Sequence, residues 1–130
     1  MSFAADQIRK QPRKLGKTVR KLPIDTGAKR VHDLRTRTRR MEAMLQALHL
    51  DSRKNERRLL KAVKPVRKKA GKVRDMDVLT GFALSTRLDN EKPFLVRLLE
   101  HLGTQRGKHA RILQKIANAR VPEIKKRLKR

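Results

Sequence analysis

The feature that most constrains the fold is a run of six apolar or near-apolar residues, Val31, Leu34, Thr38, Met41, Leu45 and Leu48, separated by 3, 4, 3, 4 and 3 positions. Residues so spaced share one side of an α-helix, and the alternation of three and four is the seam by which helices pack side by side. A strand would need alternation at every second residue, and the sequence contains no such stretch.

The same period organises the rest of the chain. Ile8, Pro12, Leu15, Val19 and Leu22 mark a first helix over 1–22, closed by Leu22-Pro23 and kinked or shortened at Pro12. After the turn Pro23 to Gly27 comes the seam helix, 28–50. Asp51 or Ser52 can cap a third helix that turns Leu59 or Leu60, Val63, Val66 and Ala70 inward and bends at Pro65. Gly71 reads as a break. Beyond it Asp75 or Asp77 caps a short segment facing Met76, Leu79, Phe82 and Ala83 inward, so that the broken helix occupies 52–88.

Asp89-Asn90 opens a long fourth helix over 90–120, with Pro93 in its first turn. Its stripe is Phe94, Leu95, Leu98, Leu99, Leu102, Ile112, Leu113 and Ile116, loosened at Gly103 and Gly107. Val121-Pro122 closes this helix and leaves 121–130 as a frayed helix or basic arm. Short turns between amphipathic helices predict an all-α, antiparallel four-helix bundle with its third helix broken near Gly71. At 130 residues the chain supports one core, not two.

Charge decides what such a bundle is for. Lys and Arg number 37 against 12 Asp and Glu, a formal net charge of +25. Self-repulsion on that scale destabilises a compact state, so an anionic partner is the economical explanation: nucleic acid, an anionic membrane or an inorganic polyanion. The chain has no Trp, no Tyr and only Phe3, Phe82 and Phe94. It therefore lacks the stacking platforms by which proteins hold unpaired bases.

No cysteine is present, which removes disulfides and thiolate metal sites. The N-terminal residues meet charge too early for a signal peptide, and no stretch reaches membrane-spanning length, so the expected compartment is the cytoplasm. Asp75 and Asp77 are read as capping and Arg-orienting groups rather than metal ligands, and no cofactor is expected. Gly103 to His109 is too short for a phosphate-binding loop and follows no strand. No protease, hydrolase or paired-carboxylate motif is present, so the chain is read as a non-enzyme.

The basic residues fall in rows. On the second helix His32, Arg35 and Arg39 recur with Ala28 and Glu42 on one flank of the seam, while Asp33, Arg37 and Arg40 take the other. On the third, Arg57, Lys61, Lys64 and Lys68 follow one another at 4, 3 and 4, with Arg67 and Arg74 alongside. Two such strips on neighbouring helices would make a positive groove, and donors in line suit a linear phosphate chain.

Two segments carry a resemblance. Val31-His32-Asp33-Leu34-Arg35-Thr36-Arg37-Thr38-Arg39-Arg40-Met41 resembles the signature helix of the CHAD family, the conserved histidine α-helical domain. Gly71-Lys72-Val73-Arg74-Asp75-Met76-Asp77-Val78-Leu79, preceded by Arg67-Lys68, is similar to that family's Gly-x-x-Arg-Asp-x-Asp-Val segment. The resemblance implies a helical bundle that binds inorganic polyphosphate without catalysis, and association with polyphosphate granules.

By motif match the implied binding residues are His32, Arg35, Arg39, Arg40, Arg67, Lys68 and Arg74; Lys64 joins them from the basic strip. Arg13, Lys17 and Arg20 are nominated only as basic residues at i, i+4 and i+7 of the first helix. The chain departs from the family pattern in carrying Ala70 where Leu is common, and in having room for one of two related bundles. A fragment, a degenerate relative and a protomer that restores the second bundle as a homodimer all fit that length. Two other readings of the charge stand beside polyphosphate: a chromosome- or ribosome-associated nucleic-acid binder, and a scaffold docking an acidic protein.

Overall fold

The computed structural model describes residues 3–86 and 92–129, and among these there are four helices and no strand: α1 (Phe3–Lys21), α2 (Ala28–Ala47), α3 (Lys54–Ser85) and α4 (Lys92–Leu128). Each helix packs on its neighbours in chain order, and α4 closes the ring onto α1. The result is an all-α antiparallel bundle in which the α2–α3 seam lies opposite the α4–α1 seam.

The seam of α2 is buried as its spacing requires, with Val31, Leu34, Thr38, Met41 and Leu45 all inward. The Thr38 hydroxyl, in a dry position, donates to the Leu34 carbonyl at 2.7 Å. Leu15, Val19 and Leu22 of α1, Leu59, Val63, Val66, Ala70 and Val73 of α3, and Ala110, Leu113, Ala117 and Ile124 of α4 complete one contiguous core.

Several expectations require correction. The expected break near Gly71 does not exist: α3 runs unbroken for 32 residues. Glycine in a helix costs roughly 1 kcal/mol relative to alanine. Ala70 and Val73, fully buried on either side, hold the helix through it. Asp75 and Asp77 accordingly lie inside α3 and cap nothing. Asp51 and Ser52 do not cap it either; its N-cap is Arg53, with no side-chain hydrogen bond. Pro12 neither ends nor delays α1, which runs from Phe3 through it.

The tail is also different. α4 continues through Gly103, Gly107 and Pro122 to Leu128, because Ile124 and Arg127 are buried and the Asn55 side chain of α3 donates to the Arg127 carbonyl at 3.0 Å. Glu123 and Arg127 pair at 2.8 Å on that last turn. Leu48, read as the end of the α2 seam, is instead exposed in the turn after it. Leu79, Phe82, Phe94 and Ile112, expected inward, are also exposed. The capping pair Asp89-Asn90 lies outside the described residues, as does the side chain of Ile8.

The turns are specified locally. Between α1 and α2, Asp25 accepts the Gly27 amide at 2.9 Å and faces Arg30 at 3.4 Å. A Cβ on Gly27 would stand 3.1 Å from that carboxylate oxygen, tighter than most side chains tolerate. After α2, His49 adopts φ 54°, the Leu50 amide donates to the Leu45 carbonyl at 2.8 Å, and the His49 amide donates to Gln46 at 3.1 Å. These two bonds are the paired closure of a Schellman motif, here with histidine in the left-handed position usually held by glycine.

Candidate functional site

The α2–α3 seam gathers the basic rows. Arg35 and Arg39 from α2 meet Arg67 and Lys68 from α3 around a hollow whose floor includes Gly71, where the missing side chain leaves space. A second hollow adjoins it along the same seam, lined by Thr38, Glu42, Leu60, Lys61, Val63, Lys64 and Arg67. Arg67 belongs to both, so the two form one track with cations on each wall.

Arg67 is fixed in that track by Glu42, whose Oε2 accepts from Nη1 at 2.6 Å across the two helices. A guanidinium offers five donors, and this pair uses one edge of it, so the rest stay available to an anion. The pair is partly exposed and its net contribution to stability is correspondingly small. Its consequence is orientation.

His32 is exposed on α2 one turn from Arg35, and Arg74 is half-buried on α3 two turns from Arg67. Helical register continues both rows through them toward the α1–α2 turn. The four remaining nominated residues lie elsewhere, which corrects the expectation of a single groove.

Arg40 is on the opposite flank of α2, facing α1. Lys14 there is held below its ordinary pKa, first by desolvation and then by the positive charges of Arg37, Lys10 and Arg40. One guanidinium nitrogen of Arg37, Nη1, is buried on this side with no protein partner. Arg13 and Arg20 line a separate shallow groove between α1 and α4, with Pro12, Gly16, Lys125, Leu128 and Lys129. Lys17 is exposed on α1 and belongs to neither hollow.

One polar network was not expected. Arg106 of α4 pairs with Asp77 of α3 at 2.6 Å and donates to the Thr26 carbonyl of the α1–α2 turn at 2.8 Å, tying three elements together. A signal was present in the sequence: Arg106 and Asp77 occupy slots in the inward stripes Leu102, Arg106, Ala110, Leu113 and Val73, Asp77. A charged residue in such a slot calls for a partner of opposite sign. On the α3–α4 seam His109 is pushed below its ordinary pKa by desolvation and by Lys69 and Lys72, and its Nδ1 lies 3.4 Å from the Lys69 ammonium.

Among the described residues no group of three or more His, Asp or Glu is placed to hold a metal. No described helix is long and apolar enough to cross a membrane.

Arginine on the α2 wall of one seam and arginine and lysine on its α3 wall define the class: an all-α bundle with a cationic seam. The CHAD domain model matches residues 6–130, and the chain belongs to the CHAD family. That family is known in general for binding polyphosphate. No curated protein and no solved structure matches the chain.

Proposed function

We propose that the protein binds inorganic polyphosphate, without catalysing its turnover, along the α2–α3 track. The observation that carries this reading is the convergence of Arg35, Arg39, Arg67 and Lys68 on one hollow, continuous through Arg67 with Lys61 and Lys64. Arginine forks engage phosphate oxygens in pairs, while lysine adds point charges that need no fixed angle. The rows repeat about every 5.4 Å along each helix, so successive turns meet successive parts of a linear chain.

Membership in the CHAD family supports the choice of ligand. The aromatic residues support it as well: among the described residues no aromatic side chain lines either hollow. His32 and Arg74 extend the track at one end. Arg40, Arg13, Lys17 and Arg20, on the α1 side, hold only a chain long enough to leave it.

The test compares two variants with the same loss of charge. Arg35→Gln, Arg39→Gln and Lys68→Gln together weaken binding of long-chain polyphosphate at least tenfold more than Lys125→Gln, Lys126→Gln and Lys129→Gln together, measured by titration calorimetry at fixed salt. Equal losses from the two would mean diffuse attraction and no track.

A further inference from the structure

The far flank of α2 gathers a different set of cations. Arg35, Arg39 and Glu42 line the hollows against α3. The opposite flank, with Arg37 and Arg40, therefore turns toward α1. On α1, Pro12, Arg13 and Gly16 line the groove against α4. Lys10 and Lys14, on the other side of the buried Leu15, therefore turn toward α2. The two helices stand level at this point, because Pro12, midway between Lys10 and Lys14, shares a small hollow with Met41, the residue after Arg40. Two lysines and two arginines from packed helices thus face one seam, with α2 itself between them and the track.

Among the described residues no carboxylate forms an ion pair with any of the four. That includes Asp33, one turn before Arg37 on the same flank. Lys14 registers the imbalance: its pKa is held down by desolvation and then by Arg37, Lys10 and Arg40, all of them positive. Arg37 is half-buried, and its Nη1 is sealed from solvent with no acceptor in the protein. A sealed donor of a charged group costs more than a neutral one, and folded proteins ordinarily give such a donor a partner, whether a protein group, an ordered water or an ion. Water would satisfy the hydrogen bond and leave the cations repelling one another. An anion does both.

We infer that the α1–α2 seam is a separate anion site, built by Lys14 and Arg37 with Lys10 and Arg40 at its rim, for a single compact oxyanion of the phosphate class. Arg37 supplies directional donors and Lys14 a point charge, the pairing that suits a tetrahedral group with acceptors on every side. Lys10 to Lys14 and Arg37 to Arg40 each span only about one helical turn, about 5 Å, which fits one such group and not an extended chain. The exposed Lys10 and Arg40 leave the seam open for it to enter.

The experiment is titration calorimetry of the full chain with inorganic phosphate, free of polyphosphate, at a constant ionic strength of about 0.1 M held with chloride. The unaltered protein takes up one phosphate per chain, with a dissociation constant of about 1 mM or below. Lys14→Gln with Arg37→Gln weakens that binding about tenfold or more at unchanged helical circular dichroism, because it removes the two innermost donors. Both substitutions relieve repulsion, so the fold is retained. Lys14→Gln alone gives a smaller loss of the same sign, and it decides the matter should the double variant unfold. Arg35→Gln, Arg39→Gln and Lys68→Gln together remove more charge, yet change phosphate binding less than about twofold, since α2 separates them from the site. No binding by the unaltered chain, no loss in the Lys14 variants, or an equal or larger loss in the track variant overturns the inference. Polyphosphate binding by the track is a separate measurement, and its failure leaves this outcome untouched.

Discussion

His49 shows how a single residue sets the course of the chain. The Schellman closure after α2 requires a left-handed residue, and histidine fills it at φ 54°. Left-handed backbone costs an L-residue roughly 1–2 kcal/mol, which glycine escapes. His49→Gly therefore stabilises the protein by about 1 kcal/mol, read as a raised urea midpoint with unchanged slope. A lowered midpoint would show that the imidazole makes a contribution larger than the strain.

Two carboxylates act at the same scale. The Gly27 amide, with Arg30, holds Asp25 below the usual range, and the Arg127 hydrogen bond does the same for Glu123. Each has a folded pKa lower than its unfolded one, so its contribution is complete above the ordinary carboxylate value and is lost as pH falls through the folded value. Stability should decline below about pH 5, and Glu123→Gln should flatten that decline relative to the unaltered chain. Parallel acid limbs for the two proteins would exclude Glu123 from the effect.

At the scale of elements, the sequence was legible where apolar spacing was regular and a neighbouring helix covers it. Val31 to Leu45 on α2 and Leu59 to Ala70 on α3 take the predicted faces because nothing competes with their period. The displaced helix boundaries share a cause: packing overrides the local stop signals. Gly71 stands between two buried residues, and Pro122 precedes Ile124, which is fully buried.

An interior proline costs a helix about 3 kcal/mol, so burial of Ile124 and the Asn55 contact must offset much of that. Ile124→Ala should cost about 2–5 kcal/mol in denaturant unfolding. A change under 0.5 kcal/mol, the usual effect of a surface substitution, would return residues 123–129 to the status of a loose arm. Leu79, Phe82 and Phe94 depart from expectation for the opposite reason. Their spacing is regular, but α1 and α2 are too short to cover them.

The candidate site was legible in part at this scale. The rows through Arg35, Arg39, Arg67 and Lys68 could be read from spacing, and α2 and α3 do place those four around one hollow. Spacing puts Arg40 on the other flank of α2, but that this flank faces α1, and that Arg13 and Arg20 open between α1 and α4, depends on how the helices close into a ring. Spacing along single helices carries no information about that closure. The Arg67–Glu42 and Arg106–Asp77 pairs are likewise contacts between residues 25 and 29 positions apart.

The whole molecule separates its chemistry by region: a cationic surface, an apolar core, and exposed apolar side chains toward the end of α3 and the start of α4. Cations concentrated on a bundle seam attract a polyanion at long range, and that attraction weakens as salt screens it. If six to ten phosphates are engaged, affinity should fall by about 10³–10⁵ between 50 and 200 mM salt, by analogy with duplex DNA.

Salt dependence is shared by all polyanions, so the central claim rests on choice among them. The most direct measurement is displacement of labelled long-chain polyphosphate from the full protein by unlabelled polyphosphate, duplex DNA and RNA, compared per phosphate at about 150 mM salt. Polyphosphate should displace the label at least tenfold more effectively than either nucleic acid, and the Arg35, Arg39 and Lys68 variant should lose that preference. If duplex DNA or RNA displaces it equally well or better, the track is a general nucleic-acid surface and the account is contradicted.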